Sequence, residues 1–116
     1  MDELTRDAKK LIGLMYGEYL NARKNGKSKT AARHFGGVEI LQQQLLPNET
    51  TADITETCHE LSRSGFISAC YLDNLPGNID LTDKGIALME ARFAGIISDV
   101  VKFLKDLRAI IPTHWI

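Results

Sequence analysis

Glu60-Leu61-Ser62-Arg63-Ser64-Gly65-Phe66-Ile67, with its counterpart Leu81-Thr82-Asp83-Lys84-Gly85, is the part of the sequence that decides the fold. Leu61 completes an apolar side begun by Ile54 and Cys58. The i, i+4, i+7 spacing is that of one helix face. Gly65 supplies the residue that turns left-handed where a helix must stop. Phe66-Ile67-Ser68-Ala69-Cys70-Tyr71-Leu72 is rich in aromatic and branched residues and predicts a strand. The Asp73–Asn78 cluster predicts a turn, and Ile79-Asp80-Leu81 a short return strand, so the pair makes a β-hairpin with a long tip. Thr82 is placed to cap the next helix.

Working outward, Thr50 with Asp53 three residues later is a capping-box-like start for a helix over about Thr51–Ser64, with Asp where Glu or Gln is preferred. Before it, Val38, Leu41, Leu45 and Ile40 supply the apolar side of a helix from about Gly37 to Leu46, ended by Pro47. Lys27–Phe35 reads equally as a short helix or an extended connector. The first helix spans about Leu4–Lys24, with one apolar stripe of Leu4, Ala8, Leu11, Ile12, Met15, Tyr19 and Leu20. Gly13 and Gly17 weaken it and suggest close packing; Asn25-Gly26 stops it. The last helix runs from about Asp83 to Ile111, ended by Pro112. From Phe93 onward it is apolar over so wide a face that something must cover it.

The 116 residues are 44% hydrophobic and 25% charged, an ordinary globular composition of one-domain length. Fourteen Lys and Arg against 15 Asp and Glu exclude a polybasic nucleic-acid coat but not a local basic patch. Two cysteines are too few for a disulfide framework or a structural zinc site. No apolar run reaches membrane-span or signal-peptide length, and the C-terminus carries no lipidation signal, so the expectation is a cytoplasmic protein with reduced thiols and no membrane contact.

The order helix, helix, helix, hairpin, helix, with the two quoted stretches, resembles a winged helix-turn-helix domain: mainly α with a small β-hairpin, an α+β fold with a long C-terminal helix. The likeness covers about residues 4–92, and is similar, more loosely, to the YjcQ-like group of small bacterial and phage winged-helix proteins. It implies a domain over residues 1–92 with a continuous helical extension over 93–116. It also implies a small transcriptional regulator whose third helix enters the DNA major groove. On that reading Thr51, Thr55, Glu56, His59 and Arg63 face the groove, and Arg23, Lys24, Lys27, Lys29 and Arg33 hold phosphates.

The charges pull the other way. From Phe35 to Ser62 there are Glu39, Glu49, Asp53, Glu56 and Glu60 and no Lys or Arg. The hairpin from Asp73 to Asp80 has two acids and no base. The positive charge that supplies most non-specific affinity is missing there. The alternative is a protein–protein interaction module on the same fold that leaves DNA unbound. The basic cluster, with His34 beside it, also suits a helix C-terminus complementing its dipole. Phe93, Ile96, Val100, Phe103, Leu107 and Ile110 alternate by three and four and suggest a homodimer seam; folding back onto the first helix is the other reading. No cofactor and no enzymatic activity is expected. Cys58 and His59 point different ways on a helix, and His34, His59 and His114 lack ligand spacing.

Overall fold

The computed structural model describes residues 4–93. Within them lie five helices and a three-stranded antiparallel sheet: α1 (Arg6–Lys24), α2 (Lys29–Ala32), β1 (His34–Gly36), α3 (Val38–Gln44), α4 (Thr51–Arg63), β2 (Ile67–Leu72), β3 (Leu75–Leu81) and α5 (Asp83–Phe93). Thr50 caps α4 as the sequence suggested, and α1, read from about Leu4, starts at a Thr5 cap that the sequence reading did not single out. Thr5 Oγ1 accepts the Ala8 amide at 3.2 Å, and Thr50 Oγ1 accepts that of Asp53 at 3.1 Å.

α1 is more deeply enclosed than one stripe implies. Leu11 to Gly17 are all buried, so the helix is covered around its middle, and Gly13 and Gly17 sit inside the packing. It packs on α4 and α5, and α4 packs on α3. Ile54, Cys58 and Leu61 of α4 are fully buried, joined by Ile79 and Leu81 from the sheet and Met89 from α5.

Three expectations change. Lys27–Phe35 is neither helix nor connector alone. Ser28 caps the single turn of α2, and the chain then enters β1, which pairs His34 with Asp80 and Gly36 with Ile79. So short a strand has no periodicity of its own; its partner makes it. The hairpin tip is two residues, not six. Asp73 and Asn74 both have positive φ, 52° and 65°, and Leu72 pairs directly with Leu75. Such a turn matches the right-handed strand twist, and Asp and Asn tolerate it best after glycine. The return strand therefore begins at Leu75 rather than Ile79, with one extra residue in β3 between the Ser68–Asp80 and Cys70–Gly77 pairs, where Asn78 has φ 48°. Lastly, Phe93, read as a dimer seam residue, is 1% exposed in a single chain and belongs to the core. Ile96, Val100, Phe103, Leu107 and Ile110 lie outside the described residues, as does the helix predicted from there to Ile111.

The turn between α4 and β2 is tied to the one between β3 and α5. Thr82 Oγ1 donates to the Gly65 carbonyl at 2.6 Å and accepts the Gly85 amide at 3.0 Å; the Thr82 amide donates to Phe66 O at 3.2 Å. Gly65 has φ 82°, the left-handed region. A side chain on Gly85 would run into the Phe66 carbonyl, so α5 sits this close only because that position is bare. No described helix is long and apolar enough to cross a membrane.

Candidate functional site

The outward side of α4 is the candidate surface. Burying Ile54, Cys58 and Leu61 turns Ala52, Asp53, Glu56 and Arg63 into solvent, with His59 at the margin. Thr51 and Thr55 are half-buried, and Thr55 Oγ1 is buried with no hydrogen-bond partner among the described residues. His59 stacks on Tyr71 of β2, ring centres 4.5 Å apart at 14°, and Tyr71 Oη lies 2.7 Å from Ser62 Oγ. The strand thus holds the imidazole, which lessens its freedom to reach outward. Arg63 is exposed and makes no ion pair among the described residues.

Glu60 has a different task from its acidic neighbours. Its carboxylate accepts the Thr5 amide at 2.7 Å and the Thr5 hydroxyl at 2.6 Å. It anchors the start of α1, in a pairing 55 residues apart that no local motif reveals.

The basic residues divide into two groups. Arg33 donates to Leu81 O at 2.8 Å and to Asp83 at 2.6 Å, and Lys29 reaches the same carboxylate at 3.3 Å. Hydrogen bonds from Arg33 and Lys29 hold the Asp83 carboxyl below its ordinary pKa. His34 sits 3.0 Å from Asp80. Lys29 and Arg33 brace α2 against the start of α5, and Arg33 and His34 tie β1 and the turn before it to β3. Arg23, Lys24 and Lys27 are exposed and make no ion pair among the described residues; the Arg23 guanidinium bonds the Lys27 carbonyl at 3.1 Å. They do not adjoin the α4 surface. α1 runs back along α4, with Thr5 at Glu60 and Lys10 at Glu49, 3.3 Å apart. Thirteen further residues at 1.5 Å each carry Arg23 about 20 Å beyond that last contact. Arg23, Lys24 and Lys27 therefore lie apart from the predicted reading helix, while Lys29 and Arg33 are engaged with Asp83.

The hairpin tip carries features the sequence reading did not single out. Leu72 is 78% exposed and Leu75 47%. Period-two alternation along β2 marked Leu72 for the outer face; only the position of the turn shows that Leu75 joins it there. A cavity of about 730 Å³ lies at the other end of β2, lined by Leu4, Arg63, Phe66, Lys84 and Leu88 among others. Lys84 bonds Ser64 O at 2.8 Å and stands 5.0 Å over the Phe66 ring.

Among the described residues no group of His, Cys, Asp and Glu is arranged to hold a metal ion. Burial pushes the Cys58 thiol up to about 12, which keeps it protonated and unreactive at neutral pH. Comparison with protein-family models, with curated proteins and with solved structures finds no match for this chain.

Proposed function

We propose that this chain is a winged-helix interaction module that binds a basic protein partner through the outward side of α4. The element order supports the fold assignment: a long helix and a one-turn helix, a strand, two helices, then a two-stranded hairpin whose second strand pairs with the first strand, and a further helix. The observation that carries the functional reading is the charge of that side. Asp53 and Glu56 face solvent against the single cation Arg63, and the tip of the adjoining hairpin adds the exposed Asp73. A carboxylate about 4 Å from a phosphate is repelled by roughly 1 kcal/mol even in bulk water. The same carboxylates attract and orient Lys and Arg side chains.

Glu56→Lys separates this reading from DNA binding, because the two give opposite signs. An Arg- and Lys-rich peptide is titrated against wild type and variant by fluorescence anisotropy, beside a random DNA duplex at low salt. The expected result is peptide binding that weakens about tenfold or more in the variant. Duplex binding that tightens in Glu56→Lys, with no peptide binding in wild type, overturns the proposal. Glu60 is unsuitable for the test, since its loss frees the start of α1.

DNA binding is the second reading, favoured by Arg23, Lys24 and Lys27, which are exposed and make no ion pair among the described residues, and by Arg63 at the end of α4. On that reading each lost phosphate contact among them lowers the salt slope by about 0.9.

A further inference from the structure

β2 is an edge strand. The sheet order is β1-β3-β2, so among the described residues one side of Ile67–Leu72 has no neighbouring strand. Which residues point that way follows from the hydrogen bonds. Phe66 O accepts from Thr82 on the β3 side, and Leu72 pairs with Leu75 at the turn, so residues 66, 68, 70 and 72 direct their backbone groups to β3. Ile67, Ala69 and Tyr71 direct theirs outward, and among the described residues nothing bonds them. The strand, Ile-Ser-Ala-Cys-Tyr-Leu, contains no charge and no proline, the usual devices by which an open edge avoids pairing.

We propose that two copies of this chain pair along β2, antiparallel about a two-fold axis at Cys70, forming one continuous six-stranded sheet. In this register Ala69 of each copy exchanges hydrogen bonds with the other's Tyr71, about four in all. Cys70 faces its own counterpart on the outer sheet side, and Leu72 lies against Ser68. The register centred on Cys70 keeps Leu72, the most exposed large apolar side chain among the described residues, within the new ladder.

Charge complementarity selects a second copy as the occupant. The two-fold axis brings the hairpin tip of each chain to the beginning of the other's β2. The tip offers an apolar residue followed by an acid, Leu72 and Asp73. At the far end of β2 are the Phe66 ring, the ammonium of Lys84 above it, Arg63 and the cavity they help to line. Two equivalent contacts therefore form, each setting Asp73 near Lys84, while the two Asp73 carboxylates stay at opposite ends. A charged peptide added to the same edge would satisfy the backbone but would not supply this matched pair.

The experiment is sedimentation of the full chain over a range of concentrations, with mild oxidation by oxidised glutathione as a second readout. Wild type is expected to form a dimer that becomes covalently linked through Cys70. Directly opposed residues in a pair of this kind have Cα atoms about 4.5 Å apart, within the roughly 4.4–6.8 Å that a disulfide spans. Ala69→Pro removes an outward amide that β3 does not use, so it is expected to abolish dimer and cross-link while leaving the thermal transition in place. Lys84→Glu is expected to weaken association about tenfold, and Lys84→Glu with Asp73→Lys to restore it. A monomer at every concentration overturns the proposal. So does a dimer that survives Ala69→Pro or is indifferent to both charge changes, since another surface then holds it. Edge pairing with added extended peptides by a monomeric chain would assign the strand to a peptide partner and equally defeat the self-pairing.

Discussion

Thr82 joins two turns that are 17 residues apart in the chain. Its hydroxyl caps α5 through the Gly85 amide and at the same time donates to the Gly65 carbonyl, the residue that ends α4's turn. The capping role is visible in the sequence, because a Thr before a helical pattern has few other uses. The donation to Gly65 is not, because it depends on β2 and β3 bringing their outer ends together. Thr82→Ala removes both bonds and leaves the Gly65 carbonyl half-buried without its hydroxyl donor, at an expected cost of about 1–2 kcal/mol. Thr82→Ser keeps the oxygen and is expected to lie within about 0.5 kcal/mol of wild type. Urea titration of the three proteins checks this; equal losses for Ala and Ser would show that the methyl group, not the hydroxyl, matters at this site.

At the scale of elements, the helices were the legible part and the sheet the less legible one. A helix announces itself by the i, i+4, i+7 spacing of Ile54, Cys58 and Leu61 and by the Thr50 cap, all within one local stretch. The strands depend on partners. Phe35 and Gly36 carry no pattern that distinguishes a strand from a connector until Ile79 and Asp80 lie beside them. Composition alone places the return strand later, at Ile79, because Pro76 and Gly77 are turn residues by type. They are tolerated here because β1 pairs with β3 only at Asp80 and Ile79, so the missing Pro76 amide leaves no rung empty on that side. The candidate surface followed the same rule. Exposure of Glu56 and Arg63 was readable from helical spacing, whereas the use of Glu60 by Thr5, of Arg33 by Leu81 and Asp83, and of His59 by Tyr71 needed the assembled molecule. The turn itself offers a test of the revised hairpin. Asn74 adopts φ 65°, so Asn74→Gly is expected to raise stability by a few tenths of a kcal/mol or leave it unchanged. If the tip were the longer loop that composition suggests, Asn74→Val would be harmless. With the two-residue turn it is expected to cost about 1–2 kcal/mol, measured by thermal unfolding followed by circular dichroism.

For the whole molecule, the core holds two groups whose ionisation reports on global opening. Burial, then the nearby charges of Glu90 and Tyr19, raise the Tyr16 phenol to about 12 from 10.0; burial alone raises the Cys58 thiol to about 12 from 9.0. Both groups are neutral when protonated, so the folded chain retains protons that the unfolded chain releases once pH passes about 9. The unfolded state then binds fewer protons, and stability falls as pH rises from about 9 towards 12, by at most roughly 1.4 kcal/mol per pH unit for each group. Below about pH 8 neither group contributes an appreciable slope. Cys70 is exposed and Cys58 buried, which lets a thiol reagent follow the same opening. In a Cys70→Ser chain, Cys58 is expected to react only as fast as the core opens, slowly at pH 7.5 and with a rate that climbs more steeply above pH 9 than thiolate formation in a free thiol explains. Tyr16→Phe should flatten the part of that climb that follows phenol ionisation, above about pH 10. If Cys58 reacts at pH 7.5 as readily as Cys70 does in the unaltered chain, then α4 is not seated on α1 as described. The core that positions the outward side of α4 would then have to be drawn differently.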